Sequence, residues 1–395
     1  MRILPDMSSQ SNSNSCAEPL LTRARRAARS VTGALRTHYP GFLFGLPLQR
    51  HCVPVFIYHD VQAAQFATDL EFLRRNRYRT LSLAEFLSSR ERKSGPDGRS
   101  VLLTFDDARR SFHEQALPVL RDFGARATLF VPTYWMSKRK SDDGEAGGPE
   151  RFMTWDQVRE SANSGLVDIE SHAHRHALVL TSGRVLDFAN PRTLARYDIY
   201  DWPMRNAPAG DVLGRFPLGA PIYAATPLLS AERRFVEDPN VTLACVELVA
   251  RSGGPAFFAR PDWIHLLRRV HALRSQGSCG GLLPHPRFRE LVASEFELSR
   301  DLFIQHLGRA PRYLAYPWMM GSPLSLELAR SFGIQAVFGV ALDFGRARDP
   351  RLPVRAFGRL KADWLPLLPG DGRASFLSIA AGKLAGIAKT QHLAH

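Results

Sequence analysis

Short apolar runs alternate with amphipathic stretches in two parts of the chain, over residues 53–178 and 287–357. The short runs have strand length. The stretches between them carry apolar residues at spacings of three and four, which is typical of helices packed on a sheet. Apolar strands that alternate with helices indicate a parallel sheet with both faces covered. The predicted strands are 53–58, 78–81, 100–105, 126–131, 166–170, 313–316, 336–340 and 352–357. The predicted helices are 66–73, 83–89, 112–123, 154–163, 288–307 and 322–332.

The alternation lapses between these two parts. Residues 180–285 are rich in Pro, Gly and Arg and carry only scattered apolar runs. The pattern predicts one α/β domain with a long insertion, and such an insertion usually forms either a functional lid or a subdomain with its own core. Both alternatives stay open here. The predicted organisation is an N-terminal extension over 1–50, a first domain part over 51–179, the insertion over 180–286, a second domain part over 287–360 and a C-terminal tail over 361–395.

Positive charge is concentrated at the two ends of a chain whose formal net charge is +14. Residues 1–50 carry seven arginines against two acidic residues, and residues 355–395 carry six basic residues against two. A nucleic-acid-binding domain more often interleaves basic and aromatic residues within its fold, so we expect no nucleic-acid partner. Apolar and basic residues at helical spacing over 20–36 and 375–389 favour peripheral contact with an anionic membrane. Solvated tails and helices packed on the domain are the alternatives.

The cellular location follows from three further features. No run of about 18 apolar residues, the length of a transmembrane helix, occurs in the chain. Its four cysteines form no Cys-x-x-Cys pair, which excludes a zinc ribbon, and reduced thiols suit a cytoplasmic protein. A secretory signal is not evident. We therefore expect a cytoplasmic protein, peripheral at the inner face of the cytoplasmic membrane.

Two adjacent carboxylates, Asp106 and Asp107, end the buried strand at 100–105. The carboxyl ends of parallel strands are where α/β folds place their active sites. Adjacent carboxylates repel each other, so a metal, a cation or a shared proton must hold them. The alternative is a simple helix N-cap, because Asp caps helices well and a helix follows.

Three histidines follow the strand at 166–170. They are His172, His174 and His176. In a helical turn His172 and His176 share a face, whereas in an extended segment all three do. Either geometry can bind a divalent metal such as zinc, and the alternative is an exposed polar loop. His59 ends the first strand, and we expect it at the same edge of the sheet.

Three motifs occur in a familiar order at the predicted strand ends. They are Thr104-Phe105-Asp106-Asp107, Ser171-His172-x-x-x-His176 and Ala315-Tyr316-Pro317-Trp318. Together they resemble the polysaccharide deacetylase family, carbohydrate esterase family 4. The opening Pro54-Val55-x-x-Tyr58-His59 resembles the branch that de-N-acetylates exported poly-N-acetylglucosamine, whose general-acid His precedes the Asp pair. The resemblance covers about residues 53–178 and 287–357. It implies a distorted (β/α) barrel with a mononuclear divalent metal site.

The resemblance implies a ligand set for that metal. Asp107, His172 and His176 resemble the family's ligands, and His174 should be dispensable. Zinc is the expected ion, and imidazole and carboxylate ligands also permit cobalt, nickel or iron.

The catalytic roles are carried over in the same way. Asp106 resembles the general base and His59 the general acid. The backbone N–H of Trp318 matches the position whose amide helps to form the oxyanion site. Tyr316, Pro317 and Trp318 are the expected substrate-binding residues.

Three departures from the family pattern stand out. Ala108 follows the Asp pair where the family often has Gly, and the late Leu-x-His motif is absent. Ala315 opens the third motif where the family often has an Arg that orients the base. Arg355 is a candidate to replace that arginine.

The expected activity is metal-dependent removal of an acetyl group from an N-acetylated sugar of a polysaccharide or lipid-linked glycan. A catalytically decayed glycan-binding protein is one alternative, favoured by the missing motif Arg. A metallo-β-lactamase-like hydrolase is another, because residues 171–176 are similar to its Ser/Thr-His-x-His-x-Asp-His signature. The insertion should cover the site, and its aromatic residues are candidates to stack on a sugar or acyl group. They are Tyr197, Tyr200, Trp202, Phe216, Tyr223, Phe257, Phe258 and Trp263.

Overall fold

One parallel sheet dominates the computed structural model, which describes residues 40–48, 52–91, 99–136, 151–207, 210–339 and 354–379. The strands within these residues are β1 (Val55–Tyr58), β2 (Arg79–Thr80), β3 (Ser100–Phe105), β4 (Ala127–Val131), β5 (Val167–Ser171), β6 (Leu178–Phe188), β7 (Arg205–Ala207), β8 (Gly210–Val212), β9 (Pro221–Pro227), β10 (Phe235–Glu237), β11 (Gly280–Leu282), β12 (Tyr313–Ala315), β13 (Ala336–Phe338), β14 (Arg355–Phe357) and β15 (Leu360–Lys361). The strand order across the sheet is β14-β13-β12-β5-β4-β3-β1-β15, with β2 beside β3.

The connection between β14 and β15 shows that this sheet is curled. The two strands lie at opposite ends of the strand order, yet only Gly358 and Arg359 separate them in the chain. The three steps from Phe357 to Leu360 can span at most about 11 Å. The two ends of the sheet therefore lie close together, and the predicted distorted (β/α) barrel is confirmed.

Apolar side chains from successive strands fill the space that the curled sheet surrounds. Leu102, Phe130, Ala315, Phe338 and Phe357 come from five different strands and belong to one buried cluster. The ring centroid of Phe338 lies 5.5 Å from that of Phe130 and 5.3 Å from that of Phe357.

Helices cover the outside of the sheet. The described helices are α1 (Ala63–Arg75), α2 (Leu83–Glu91), α3 (Leu117–Phe123), α4 (Thr133–Met136), α5 (Trp155–Asn163), α6 (Pro191–Arg196), α7 (Pro239–Arg251), α8 (Trp263–Ser275), α9 (His285–Leu307) and α10 (Pro323–Ser331). A π-helical turn, Phe112–Ala116, leads into α3, so the helix predicted over 112–123 has two parts. Thr154 and Gln157 form a capping box that starts α5. The helices predicted within residues 53–178 and 287–357 are confirmed.

The insertion forms an antiparallel layer with its own core. Strand β6 pairs with β9, and helices α7 and α8 pack beside this ribbon. A separate apolar cluster holds them together: Phe188, Cys245, Val249, Phe257 and Leu267. The sequence pattern missed these elements because β6 is buried along only part of its length and arginines interrupt the apolar positions of α8.

The two predicted membrane-contacting helices lie largely outside the described residues. Residues 20–36 are not described, and the segment 375–389 is described only as far as 379. In that part the ring of Phe376 lies 5.3 Å from Trp364 and 5.9 Å from Phe44, so this aromatic residue packs on the protein. None of the described helices is both long enough and apolar enough to cross a bilayer. Membrane contact stays a prediction.

Candidate metal and catalytic site

The predicted site residues directly follow the carboxyl ends of β1, β3, β5 and β12. We call this edge of the sheet, with the residues that follow these strands, the carboxyl rim. Left-handed backbone, with φ between 46° and 70°, is concentrated there. It occurs at Asp107, Ala108, Ala173, His176, Trp318 and Met319, while two other described non-glycine residues, Arg77 and Gln276, share this conformation elsewhere. An L-residue in this region costs about 1–2 kcal/mol. Such strain tends to collect at functional sites, where the surrounding structure must hold it.

Ala108 shows how this strain relates to the family pattern. Its φ is 46°, a value that glycine adopts without a Cβ clash. The Gly that the family often has after the Asp pair therefore suits the turn, and Ala108 occupies the same conformation at a cost.

Asp107, His172 and His176 meet at the carboxyl rim. One ligand atom from each lies within 4.8 Å of the others, and all three residues are buried. The Oδ1 atom of Asp107 lies 3.5 Å from Nε2 of His172 and 3.6 Å from Nε2 of His176. The Nδ1 atom of His172 lies 2.8 Å from the carbonyl oxygen of Ala315, to which it can donate, so its Nε2 is left to face Asp107. Such outer hydrogen bonds commonly fix the orientation of ligating histidines.

These three residues fit a divalent metal. The Oδ1 atom of Asp107 is buried and has no hydrogen-bond partner among the described residues, although it faces both imidazole Nε2 atoms. Buried polar atoms are rarely left without a partner, and an ion bound between these atoms would supply one. Two imidazoles and one carboxylate also form a known donor set for zinc and related metals.

Asp107 and His176 are held in the forms that bind a cation, whereas the neighbouring carboxylates favour the protonated form of His172. Burial works against the charged carboxylate of Asp107, but the neighbouring His172 and His176 outweigh it and hold its pKa well below the usual range. Burial lowers the pKa of His176 to about 3, which leaves a neutral imidazole at neutral pH. The pKa of His172 lies above its usual value because Asp106 and Asp107 outweigh the opposing effect of burial.

Asp106 makes a buried pair with Arg359, the residue that connects β14 to β15. The Nη1 and Nη2 atoms of Arg359 donate to the two carboxylate oxygens of Asp106 at 2.6 and 2.8 Å. Burial of Asp106 acts to raise its pKa, but the charge and hydrogen bonds of Arg359, together with His172, outweigh burial, and the pKa lies below the usual value. Arg359 thus keeps Asp106 ionised and fixes its orientation.

The arginine that pairs with Asp106, the predicted base, is Arg359 and not the candidate Arg355. Arg355 lies on β14 and its side chain is exposed. Arg359 comes four residues later, where the chain crosses from one end of the sheet to the other. The sequence carried a signal for it, since Arg359 follows a predicted strand end, but its inward direction depends on closure of the barrel.

His59 lies at the end of β1 and is exposed. Its charge is one of the influences that lower the pKa values of Asp106 and Asp107, which places it near both. The side chain of His59 is accessible to solvent at this rim.

The third motif contributes one exposed side chain. Trp318 is 40% exposed, and its ring centroid lies 5.6 Å from that of His176. Tyr316 is only 1% exposed, and its hydroxyl oxygen accepts a hydrogen bond from Ser325. Pro317 is buried as well. In this structure the side chain of Trp318 is accessible and those of Tyr316 and Pro317 are buried. Substrate binding by these three residues stays a prediction.

His174 points away from the cluster. Its Nδ1 lies 2.9 Å from Oγ1 of Thr133. The loop that carries the histidines is held by Glu295 of α9, a residue that the sequence reasoning missed. The Glu295 carboxylate accepts hydrogen bonds from the backbone N–H groups of His174 and Arg175, at 3.2 and 2.7 Å. No local pattern marks Glu295, because its partner lies 120 residues away.

The insertion reaches the site through Tyr200. The ring of Tyr200 stacks on His176, with centroids 3.9 Å apart and planes at 26°. Tyr200 is one of the aromatic residues expected to stack on a ligand, and in this structure it covers an imidazole instead. The insertion therefore has its own core and, through Tyr200, also covers one side of the site. The insertion thus has features of both predicted alternatives, the lid over the site and the subdomain with its own core.

Comparison with known proteins shows a family similarity for the segment that carries most of these residues. Residues 93–193 match the family model described as polysaccharide deacetylase. The match includes Asp106, Asp107, His172 and His176, and it confirms the resemblance that the sequence motifs indicate. This segment of the chain is therefore similar to polysaccharide deacetylases.

Curated relatives carry related names. The poly-beta-1,6-N-acetyl-D-glucosamine N-deacetylase of Escherichia coli (strain K12) is 31% identical over 117 residues, which cover 29% of this chain and 17% of that protein. The enzyme of the same name from Staphylococcus epidermidis is 29% identical over 121 residues, 30% of this chain and 39% of that protein. The matched segment spans less than half the length of these relatives. Among solved structures, a de-N-acetylase from Aggregatibacter actinomycetemcomitans has a TM-score of 0.49 at 17% identity, covering 83% of this chain and 99% of that one.

Proposed function

We propose that this protein is a metal-dependent de-N-acetylase that removes the acetyl group from an N-acetylated sugar. The observation that carries the proposal is the arrangement at the carboxyl rim. Ligand atoms of Asp107, His172 and His176 lie close together. The carboxylate of Asp106 lies beside them and is hydrogen-bonded to Arg359.

The metal would be held by Asp107, His172 and His176. A divalent ion at such a site lowers the pKa of a bound water to about 7 and polarises a carbonyl oxygen. Three protein ligands leave room for a water and for the acetyl oxygen, which is the usual arrangement of catalytic zinc sites. Zinc is the first choice, and cobalt, nickel and iron are compatible with the same donors.

The chain itself supplies the proton transfers. Asp106 is ionised, oriented by Arg359, and 3.5 Å from Nε2 of His172, so it is placed to accept a proton from the attacking water. His59 is accessible on the same rim and can protonate the leaving amine. The backbone N–H of Trp318 is the candidate donor to the oxyanion that forms from the acetyl carbonyl.

The substrate class is a polymer or lipid-linked glycan that contains N-acetylglucosamine. Relatives named for poly-beta-1,6-N-acetyl-D-glucosamine support the sugar. The exposed Trp318 offers a flat apolar face beside the site, on which a sugar ring can stack. Basic chain ends favour a glycolipid at the inner face of the cytoplasmic membrane. Co-sedimentation with anionic vesicles at low salt tests that part, because a protein that stays in the supernatant makes no such contact.

The alternative of a decayed glycan-binding protein loses its main support. It rested on the missing motif arginine, and Arg359 now stands beside Asp106. A metallo-β-lactamase-like hydrolase is disfavoured by the family match and by His174, which lies outside the ligand cluster.

Acetate release from a β-1,6-linked N-acetylglucosamine oligomer tests the proposal. The metal-stripped protein should be inactive, and Zn²⁺ or Co²⁺ should restore release. A parallel incubation with a membrane lipid extract, followed by mass spectrometry, should show loss of one acetyl group from a glycolipid. Binding of either substrate without acetate release under any metal would favour the decayed alternative.

A further inference from the structure

Arg109 connects the metal-ligand carboxylate to the insertion. Its side chain is buried. The Nε atom lies 3.4 Å from Oδ2 of Asp107, and the Nη2 atom lies 3.2 Å from Oδ2 of Asp198 in the insertion. The guanidinium group of Arg109 thus lies between Asp107 of the carboxyl rim and Asp198 of the insertion. Asp198 is two residues before Tyr200.

The position of this guanidinium is fixed from other directions as well. Its central carbon lies 5.0 Å from the ring centroid of Phe152 and 5.0 Å from that of Tyr200, which suits cation–π contact with both. The backbone is tied to the same segment, since Arg109 bridges to Phe152 and the Met153 N–H donates to the Ala108 carbonyl at 2.9 Å. A side chain held in this way can act as a fixed point for its neighbours.

The two oxygens of Asp107 have separate surroundings. Oδ1 faces the two imidazole Nε2 atoms, whereas Oδ2 faces Arg109. If the carboxylate rotated about its Cβ–Cγ bond, Oδ1 would leave the position that it shares with His172 and His176. A cation fixed on the Oδ2 side opposes this rotation and presents a single oxygen to the metal site.

We propose that Arg109 is a positioning residue that orients Asp107 for metal binding and couples the insertion to the metal site. The inference rests on the proposed function, because it requires that Asp107 bind a metal. It adds a residue to which the motif resemblance assigns no role. Asp198 and Tyr200, both from the insertion, hold Arg109, so a change in the insertion is transmitted to Asp107 through one guanidinium group.

Metal affinity, measured without any substrate, is the test. The full chain and its variants are titrated with Co²⁺ in competition with a chromophoric chelator, and the visible spectrum of the bound Co²⁺ is recorded. Arg109→Met keeps an unbranched side chain between the two rings and removes the charge. It should weaken Co²⁺ binding by about 10–100-fold, the usual effect of losing a partner of a metal ligand. Arg109→Lys, which restores a charge, should recover part of the loss.

Arg151→Met is the matched control. Arg151 contacts the other oxygen of Asp198, at 2.5 Å, and its side chain is half-exposed. This variant should bind Co²⁺ like the wild type, while Asp198→Asn should show a loss smaller than that of Arg109→Met. Circular dichroism checks that each variant is folded, and Arg109→Gln replaces Arg109→Met if the latter does not fold.

Two results would overturn the inference, and they differ from each other. If the wild type binds Co²⁺ and a folded Arg109→Met binds it equally well with the same spectrum, Arg109 has only a structural role. If the wild type binds no divalent metal at all, the proposed function fails first, and this inference fails with it.

Discussion

The carboxyl rim and the insertion meet at His176, yet they are built in different ways. The rim consists of strand ends in a strained left-handed conformation, and it supplies every residue of the metal cluster. The insertion is an antiparallel ribbon with its own apolar core, and it contributes the Tyr200 ring and, through Arg109, the Asp198 carboxylate. From this difference we propose that the sheet carries the catalytic residues and that the insertion controls access to the site and the orientation of Asp107. Variants in the two regions should therefore differ in how strongly they impair metal binding and acetate release.

The largest effect is expected from removal of a metal ligand at the rim. His172→Ala should lose both the bound metal and measurable acetate release, because only Asp107 and His176 would remain. His174→Ala is the control, since its imidazole contacts Thr133 and lies outside the cluster. Elemental analysis of the purified variants decides the matter, and equal metal loss in both would show that the ligands are wrongly assigned.

Breaking the pair between Arg359 and Asp106 should reduce both stability and activity. Arg359→Met leaves Asp106 buried without its partner, which typically costs about 3–5 kcal/mol in the free energy of unfolding. The double variant Arg359→Met/Asp106→Asn removes both charges and should regain much of this stability without activity. Urea unfolding of the two proteins measures the difference. Arg355→Met, at an exposed position, should unfold like the wild type, and a comparable loss there would refute the role given to Arg359.

Asp106→Asn should separate metal binding from chemistry. The variant retains all three ligands, so its metal content should be unchanged, but it has lost the proton acceptor. Loss of a general base slows a reaction on the order of 100-fold or more. Single-turnover acetate release measures this, and a rate within a few-fold of the wild type would move the base to another residue. His59→Ala should likewise keep its metal and be slower.

A smaller effect is expected at the insertion. Tyr200→Leu removes the ring that stacks on His176, and aromatic pairs contribute about 0.5–1.5 kcal/mol, or up to about tenfold in kcat/KM. Tyr197→Leu is the matched control, since its ring packs on Trp202 at 5.0 Å. If Tyr200→Leu abolished metal binding as His172→Ala does, the division of roles between rim and insertion would be wrong.

The smallest effect concerns the backbone turn after the Asp pair. Ala108→Gly should relieve a left-handed conformation, which costs an alanine about 1 kcal/mol, while glycine also gains entropy in the unfolded chain. The two terms nearly cancel. Thermal unfolding should therefore shift by only a few degrees, with unchanged activity. A large loss of activity would show that the Cβ of Ala108 takes part in the site.

The sequence pattern predicted the parallel sheet and most of the rim because both depend on local patterns, and the family resemblance added closure into a barrel. Apolar strands identified the sheet, and polar residues at strand ends identified Asp106, Asp107, His59 and His172. Arg359 was missed because its direction depends on closure of the sheet between β14 and β15. Glu295 and Arg109 act through partners far along the chain, at separations of 120 and 89 residues, which no short pattern records.

Acetate release by the metal-stripped protein, with and without added Zn²⁺ or Co²⁺, tests the central claim most directly. A β-1,6-linked N-acetylglucosamine oligomer serves as the substrate, and Asp106→Asn serves as the control that still binds metal. We predict release by the wild type only after metal is restored, and little or no release by Asp106→Asn under the same conditions. Equal release with and without metal, or none from a wild type that has bound one metal ion per chain, would contradict the account.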